Sequence, residues 1–244
     1  MRALVPVLVA IALAASACGG DAVALDPVAK AAETTVSQVS EHMEFTATVT
    51  AVDGTRVSMT GTGDFQNSPQ LGQLTFSFAS PQGSTSIQEV ISDWRIYMSS
   101  PLFTSYLPAG KTWMSLDLKK ATKAAGIDIT SFSSQSPTNA LEQLKQTASV
   151  TRVGLTKIDG ATVTHYSAVI DVSKVPNGDK LVKKTGVKFI PVEAWIGAGG
   201  LVRRMEMNYT LAQGSMKMRM DFSHYGEPVT VAVPSDAVTY DATK

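Results

Sequence analysis

One cysteine and three histidines are the side chains of this sequence best suited to nucleophilic or metal chemistry. The histidines are His42, His165 and His224, and each stands far from the others along the chain. The Glu-His-Met-Glu run at 41–44 does not have the ligand spacing of a zinc site. The sequence also lacks a Gly-x-Ser-x-Gly nucleophile elbow, a P-loop and a dinucleotide fingerprint. It therefore predicts a protein that is not an enzyme and that uses no metal and no cofactor.

Cys18 is positioned for lipid attachment. The chain before it begins with a positive charge at Arg2, continues through an apolar stretch and ends in small residues up to Ala17, as secretory signals do. The apolar stretch is shorter than the ~20 residues that a transmembrane helix needs. The motif resembles a bacterial lipobox, in which the cysteine sulfur receives a diacylglyceryl group and the preceding segment is removed. We predict a signal peptide over 1–17, a lipid anchor at Cys18 and a tether over 18–26; the alternative is an ordinary secretory signal, or an uncleaved anchor, with an incidental cysteine.

The rest of the chain is predicted to form a single domain over residues 27–244. That length is sufficient for one hydrophobic core. With one cysteine in the sequence an intramolecular disulfide is excluded, so the core must hold the fold. The formal net charge of zero argues against nucleic acid as the main partner.

Apolar periodicity predicts one long helix, many strands and three short helices. Asp26 and Pro27 are a good helix start, and Val28, Ala32, Val36, Val39 and Met43 follow at helical spacing, which predicts a helix over Pro27–Met43. The predicted strands are 44–52, 56–65, 74–78, 86–91, 94–98, 112–116, 150–158, 162–172, 189–196, 201–211, 216–225 and 229–233. The predicted short helices are 116–125, one that opens at Ser136-Pro137, and 174–185.

Turn signals between successive strands predict antiparallel pairing. Asp53-Gly54 and Asp159-Gly160 are strong two-residue hairpin signals. No alternation of strand and helix is visible, so a parallel sheet is not expected. We predict an α+β fold, with a large curved antiparallel sheet, or half-barrel, whose concave face is covered by amphipathic helices.

Methionines recur on one face of the hairpin 201–225. They alternate with polar residues, so Met205, Met207, Met218 and Met220 should be buried. Glu206, Lys217 and Arg219 should then be exposed. Methionine is flexible and suits irregular apolar surfaces, which indicates a deformable lining for acyl chains. Ordinary core packing beneath the helices explains the same pattern, and the sequence leaves both interpretations open.

Several stretches of the sequence form a recognisable set: the lipobox at Cys18, KIDG at 157–160 with VTHY at 163–166, PVEAWI at 191–196 with GLVRRM at 200–205, and YGEPV at 225–229 with Pro234. Together they resemble the LppX/LprA/LprF/LprG family of actinobacterial lipoproteins, whose fold is similar to that of the lipoprotein carriers LolA and LolB. The resemblance covers nearly all of the chain after the signal. It implies a hydrophobic cavity between half-barrel and helices that binds lipids or acylated glycolipids, and it implies no catalytic residue.

The sequence supports two functions of different classes. The first is a membrane-anchored lipoprotein, on the extracytoplasmic face of the cell membrane, that carries or presents an acylated lipid or glycolipid, with a membrane transporter as a candidate partner. The second is an envelope interaction or sensory lipoprotein with a filled core. The predicted cavity residues are Val36, Val39, Phe76, Phe78, Leu141, Leu144, Met205, Met207, Tyr209, Met216, Met218 and Met220.

Overall fold

The computed structural model describes residues 22–23, 26–66, 70–80, 83–120, 148–174, 178–211 and 214–243. These residues form one sheet of thirteen strands. The strands are Ala22–Val23 (β1), Ser40–Ala51 (β2), Arg56–Gln66 (β3), Leu71–Ser80 (β4), Gly83–Ser92 (β5), Arg95–Ser99 (β6), Trp113–Asp117 (β7), Ala148–Ile158 (β8), Ala161–Asp171 (β9), Phe189–Ile196 (β10), Val202–Leu211 (β11), Gly214–Ser223 (β12) and Thr239–Asp241 (β13). The helices are Asp26–Val36 (α1), Pro101–Thr104 (α2) and Gly178–Thr185 (α3).

The sheet is open and almost entirely antiparallel, which confirms the predicted large antiparallel sheet. Its order is β1-β8-β9-β10-β11-β12-β2-β3-β4-β5-β6-β7-β13. Within β2–β7 and within β8–β12 each strand pairs with the next one in sequence, and β2 lies between β3 and β12. Among the described strands, β13 is the one that pairs in parallel, with β7. The hairpin at Asp159-Gly160 forms as predicted, with positive φ values of 48° and 80° that suit a tight primed turn.

Strand alternation gives the sheet one apolar face and one polar face. Because directly paired residues share a face, the pairing of β2 with its neighbours determines which of their residues lie on each face. Phe45 pairs with Met220 on one side and with Gly61 on the other, and these residues belong to the apolar face. The ring of Phe45 lies so close to Gly61 that a Cβ atom there would be 2.0 Å from it. This close approach explains a glycine in the middle of β3.

Helix α1 packs on the apolar face over β10 and β11. Val28, Ala31 and Ala32 point into the core and are fully buried. The helix ends at Val36, seven residues before the predicted end. The β-branched run Thr34-Thr35-Val36 weakens the helix. From Ser40 onward, buried and exposed residues alternate as in a strand.

The predicted cover of the apolar face by several amphipathic helices is not confirmed. Of the described helices, α1 contacts β10 and β11, α2 contacts β5, and α3 contacts the short 3-10 turn at Val172–Lys174. Helix α2 was not predicted, although Ser100 caps it by accepting a hydrogen bond from the backbone N–H of Leu102, and a proline follows at its first position. Of the helix predicted at 116–125, Leu116 belongs to β7, residues 118–120 are helical and residues 121–125 lie outside the described residues, as does the helix predicted at Ser136-Pro137.

The last predicted strand is also wrong. Residues 229–233 have no regular structure, and the final strand is Thr239–Asp241 instead. Pro228 and Pro234 bracket the predicted strand and supply no backbone N–H for a ladder, so its alternating valines do not pair. Arg95 helps to hold β13 in place, because its guanidinium lies 3.7 Å from the Asp117 carboxylate and 3.6 Å from that of Asp241.

Candidate functional site

The apolar face has two parts that differ in how completely they are covered. The first lies under α1 and includes Val192, Ala194, Val202, Met205 and Phe222, all buried in one cluster. Tight burial of this kind is typical of a sealed protein core. This part holds the helix on the sheet and leaves no apolar surface in need of a partner.

The second part, here called the β3–β7 patch, is only half-buried. It continues the same face across five neighbouring strands, because Met59 pairs with Phe78, and Phe76 pairs with Ile87. The rings of Phe45 and Phe76 meet edge to face at 5.5 Å and join the patch to the core. The large apolar side chains of the patch are Met59, Phe76, Phe78, Ile87, Ile96, Met98, Met114 and Leu116. Contiguous, partly exposed apolar surfaces of this kind commonly mark binding sites.

The methionine hairpin lies between these two parts, with its faces oriented as predicted. Met205 and Met220 pair across β11 and β12 and are 1% and 4% exposed. Met207 and Met218 pair next to them and are half-buried against the core. Met216 is half-buried too, so burial decreases along the hairpin towards its turn. The hairpin thus passes from core packing to partly open surface.

Polar residues of this hairpin lie on the opposite face. Lys217 and Arg219 are exposed, as predicted, whereas Glu206 is half-buried. Arg219 is the cross-strand partner of Glu206. Arg219 also donates a 2.6 Å hydrogen bond from Nε to Asp221, and this bond raises the pKa of its guanidinium further.

Val39 is a correction to the predicted cavity. It is 61% exposed, in the turn between α1 and β2. The helix ends at Val36, so the helical spacing that predicted a buried Val39 does not continue to it. Val36 is half-buried at the end of α1. Cys18, Leu141 and Leu144 lie outside the described residues, as does the side chain of Tyr209, whose backbone pairs with Met216.

Two carboxyl groups on the apolar face were missed by the sequence interpretation. Burial raises the pKa of Glu41 to about 7, and its Oε2 has no hydrogen-bond partner in the described part of the chain. Glu89 lies in β5 between Leu74 and Met98, and burial raises its pKa as well. The sequence held a signal for Glu89, since it interrupts the alternating series Thr85, Ile87, Glu89, Ile91.

His42 and His165 belong to the polar face, in cross-strand pairs, and His224 follows β12 with its ring 5.6 Å from that of His42. His42 Nδ1 lies 2.6 Å from the Asp64 carboxylate, which also accepts a 3.0 Å hydrogen bond from Gln73. His165 stacks on Trp195, its cross-strand partner, at 4.4 Å and contacts Glu193 at 2.5 Å. Within the described ranges, no three histidine, aspartate or glutamate side chains come together in a way that could hold a metal ion.

A pocket of about 350 Å³ opens on the polar face of β3–β5, beside Ala232 of the irregular C-terminal segment. Thr62, Asp64, Gln73 and Gln88 line it with polar side chains. Leu74, Glu89, Val90 and Trp113 also line the pocket, so its lining mixes polar and apolar residues.

Comparison with known proteins places the chain in a family. The family model described as LppX_LprAFG lipoprotein matches residues 21–231, and the chain belongs to this family. The resemblance drawn from the sequence motifs is therefore confirmed. No curated protein sequence matches the chain.

Solved structures support the fold. The crystal structure of LprF from Mycobacterium bovis is similar with a TM-score of 0.54 and 17% identity, over 87% of this chain and 97% of that one. LppX from Mycobacterium tuberculosis is similar with a TM-score of 0.53 and 15% identity, over 85% and 97%. Identities this low establish a shared fold and nothing more specific. In the described part of the chain, no helix has the length and apolar character to cross a membrane.

Proposed function

We propose that this lipoprotein binds an acylated lipid or glycolipid with the acyl chains against the β3–β7 patch and the open end of the methionine hairpin. The observation that carries the proposal is the half-buried row that runs from Met59 to Leu116 on the apolar face. Bound acyl chains would remove this surface from water, and each CH₂ group transferred contributes about 0.8 kcal/mol. Affinity then depends mainly on chain length, so selectivity for the headgroup is expected to be broad.

Anchoring is the second component of the proposal. Membership of a lipoprotein family supports Cys18 as the acylated residue, after removal of residues 1–17. Two or more acyl chains give stable membrane attachment, whereas one gives marginal binding. We propose that the domain stands on the extracytoplasmic face of the cell membrane, tethered through 18–26, within reach of the lipids that it carries or presents. A membrane transporter that supplies the lipid is the expected partner.

The alternative, an interaction lipoprotein with a filled core, is supported by the part of the apolar face under α1. That part is sealed, with Val202 and Met205 fully buried. The half-buried β3–β7 patch favours the carrier, because a filled core would bury the patch as completely as the part under α1. In neither function does the chain act as an enzyme.

Lipid content of the purified protein tests the proposal. The full-length chain would be purified in detergent, and its non-covalently bound lipids would be identified by native mass spectrometry. We expect about one acylated lipid per chain, in excess of the amount on an unrelated lipoprotein purified in the same detergent. Lipid at the level of that control would contradict the carrier function and favour the interaction lipoprotein.

A further inference from the structure

Glu89 places a carboxyl group in the middle of the β3–β7 patch. It lies on the apolar face, paired with Leu74 of β4 and with Met98 of β6. Along its own strand, the neighbours on that face are Ile87 and Ile91. Four apolar side chains therefore surround one carboxyl group, which is half-buried.

This carboxyl group is without a counterpart in the described part of the chain. No described residue forms a hydrogen bond or an ion pair with it, whereas Glu193 and Asp221 on the polar face have partners. A polar group on an apolar surface is costly unless it forms a hydrogen bond. A leucine at this position would match its neighbours better, so the carboxyl group is not explained by packing.

We propose that Glu89 is the residue that binds the ester-carbonyl region of the acylated lipid, where the acyl chains join the headgroup. The inference rests on the proposed function, since it assigns the polar contact within the same site. Apolar binding sites commonly fix the orientation of a ligand with a few polar groups of this kind. Glu89 would thus set the depth at which the acyl chains enter the patch.

The chemistry of the site favours an ester over a charged headgroup. Burial among apolar side chains favours the protonated carboxyl group, which has one O–H donor to offer. Ester carbonyl oxygens are acceptors and match that donor, and the carboxyl C=O can accept a hydrogen bond from a neighbouring hydroxyl. A phosphate would be repelled whenever the carboxyl group is ionised.

Matched ester and ether lipids test this contact directly. Dioleoylglycerol and its ether analogue, which lacks the carbonyl groups, would be offered in equal amounts to the full-length chain in detergent. Native mass spectrometry would then count each bound species. One neutral hydrogen bond predicts a preference for the ester of about fivefold in the wild-type chain.

Three variants separate recognition from folding. Glu89→Leu should unfold at the same temperature or higher, because it removes an unpaired carboxyl group, and yet bind the two lipids equally. Glu89→Gln keeps a donor and an acceptor, so it should retain the preference for the ester. Gln88→Leu, the adjacent position on the polar face, should also retain it.

The possible results distinguish this inference from the proposed function. Equal binding of both lipids by the wild-type chain, or an ester preference that survives in Glu89→Leu, would overturn the role of Glu89 and leave lipid binding intact. A wild-type chain that binds neither lipid would overturn both. Loss of the preference in Glu89→Leu alone supports the assignment.

Discussion

The hydroxyl group of Thr35 in α1 accepts a hydrogen bond of 3.0 Å from the backbone N–H of Val202 in β11. Both residues are fully buried, and the hydroxyl group of Tyr225 donates to the carbonyl oxygen of the same Val202. Thr35 also donates to the carbonyl oxygen of Ala31 in its own helix. One strand residue is therefore bonded to both the helix and the chain after β12, and this arrangement fixes α1 on the sheet.

Thr35→Val is expected to destabilise the fold. The substitution keeps the shape of the side chain but leaves the buried N–H of Val202 without an acceptor, at a cost of about 1–3 kcal/mol. Urea unfolding followed by circular dichroism measures the change. Thr34→Val is the matched control, because in the described part of the chain the Thr34 hydroxyl donates to the carbonyl oxygen of Lys30 in its own helix. Equal unfolding midpoints for the two variants would show that the bond to Val202 contributes nothing.

The contribution of Glu41 to the free energy of unfolding is expected to fall as pH rises. Its carboxyl group is 4% exposed, and burial raises its pKa from 4.5 to about 7 in the folded protein. The folded state therefore holds a proton that the unfolded state releases between these two values. The contribution of this group to stability should be highest below pH 4.5 and should decline by about 3 kcal/mol up to pH 7.

Glu41→Gln tests the assignment of this decline. The variant should lose the Glu41 contribution to the slope between pH 4.5 and 7, as measured by unfolding at a series of pH values. Glu44→Gln serves as the control, because Glu44 is exposed on the polar face of the same strand. A slope that persists in Glu41→Gln would assign the effect to another group.

Met218→Asp is expected to remove bound lipid and to leave the sheet folded. Met218 is half-buried between Met207 and Ala47, where a charged side chain would face the acyl chains without a partner. Bound lipid should decrease by about tenfold or more while the β-rich circular dichroism spectrum persists. Lys217→Asp, one residue away on the exposed face, should keep its lipid. If Met218→Asp unfolds and the wild-type chain carries no lipid, Met218 is a core residue and the carrier function fails.

Cys18→Ser is expected to release the chain from the membrane fraction or to leave its signal uncut. The sequence contains no other thiol that could accept the lipid. Fractionation and intact mass measure the result, and Ser16→Ala, which keeps a small side chain before the cysteine, is the control. A Cys18→Ser chain that stays with the membrane at the wild-type mature mass would refute the anchor.

Local patterns predicted the strands better than they predicted their boundaries and long-range partners. Asp159-Gly160 marks its hairpin because the turn is specified by two adjacent residues. The end of α1 was missed because Val36, Val39 and Met43 fit a helical period, while the alternation of β2 competes for the same residues. The pairing of β13 with β7 depends on contacts such as that of Arg95 with Asp241, which no local pattern reveals.

The same limit applies to the candidate site. The methionine pattern predicted which face is apolar, since alternation alone decides orientation in a strand. It could not predict that burial would end midway along the hairpin, because that depends on where α1 lies. Glu89 was visible as a carboxyl group in an apolar series, but its lack of a partner is a property of the folded sheet.

The place of β2 in the sheet has a consequence for the order in which the chain folds. Strands β2–β7 and β8–β12 each assemble from neighbours along the sequence, whereas the seam between β2 and β12 joins Ala51 to Gly214. Contacts between such distant residues carry a large loop-closure entropy and form slowly. We expect two half-sheets to form first and the seam to close last. Until it closes, β2 and β12 present unpaired edges, so aggregation during refolding should depend on the rate of that single step.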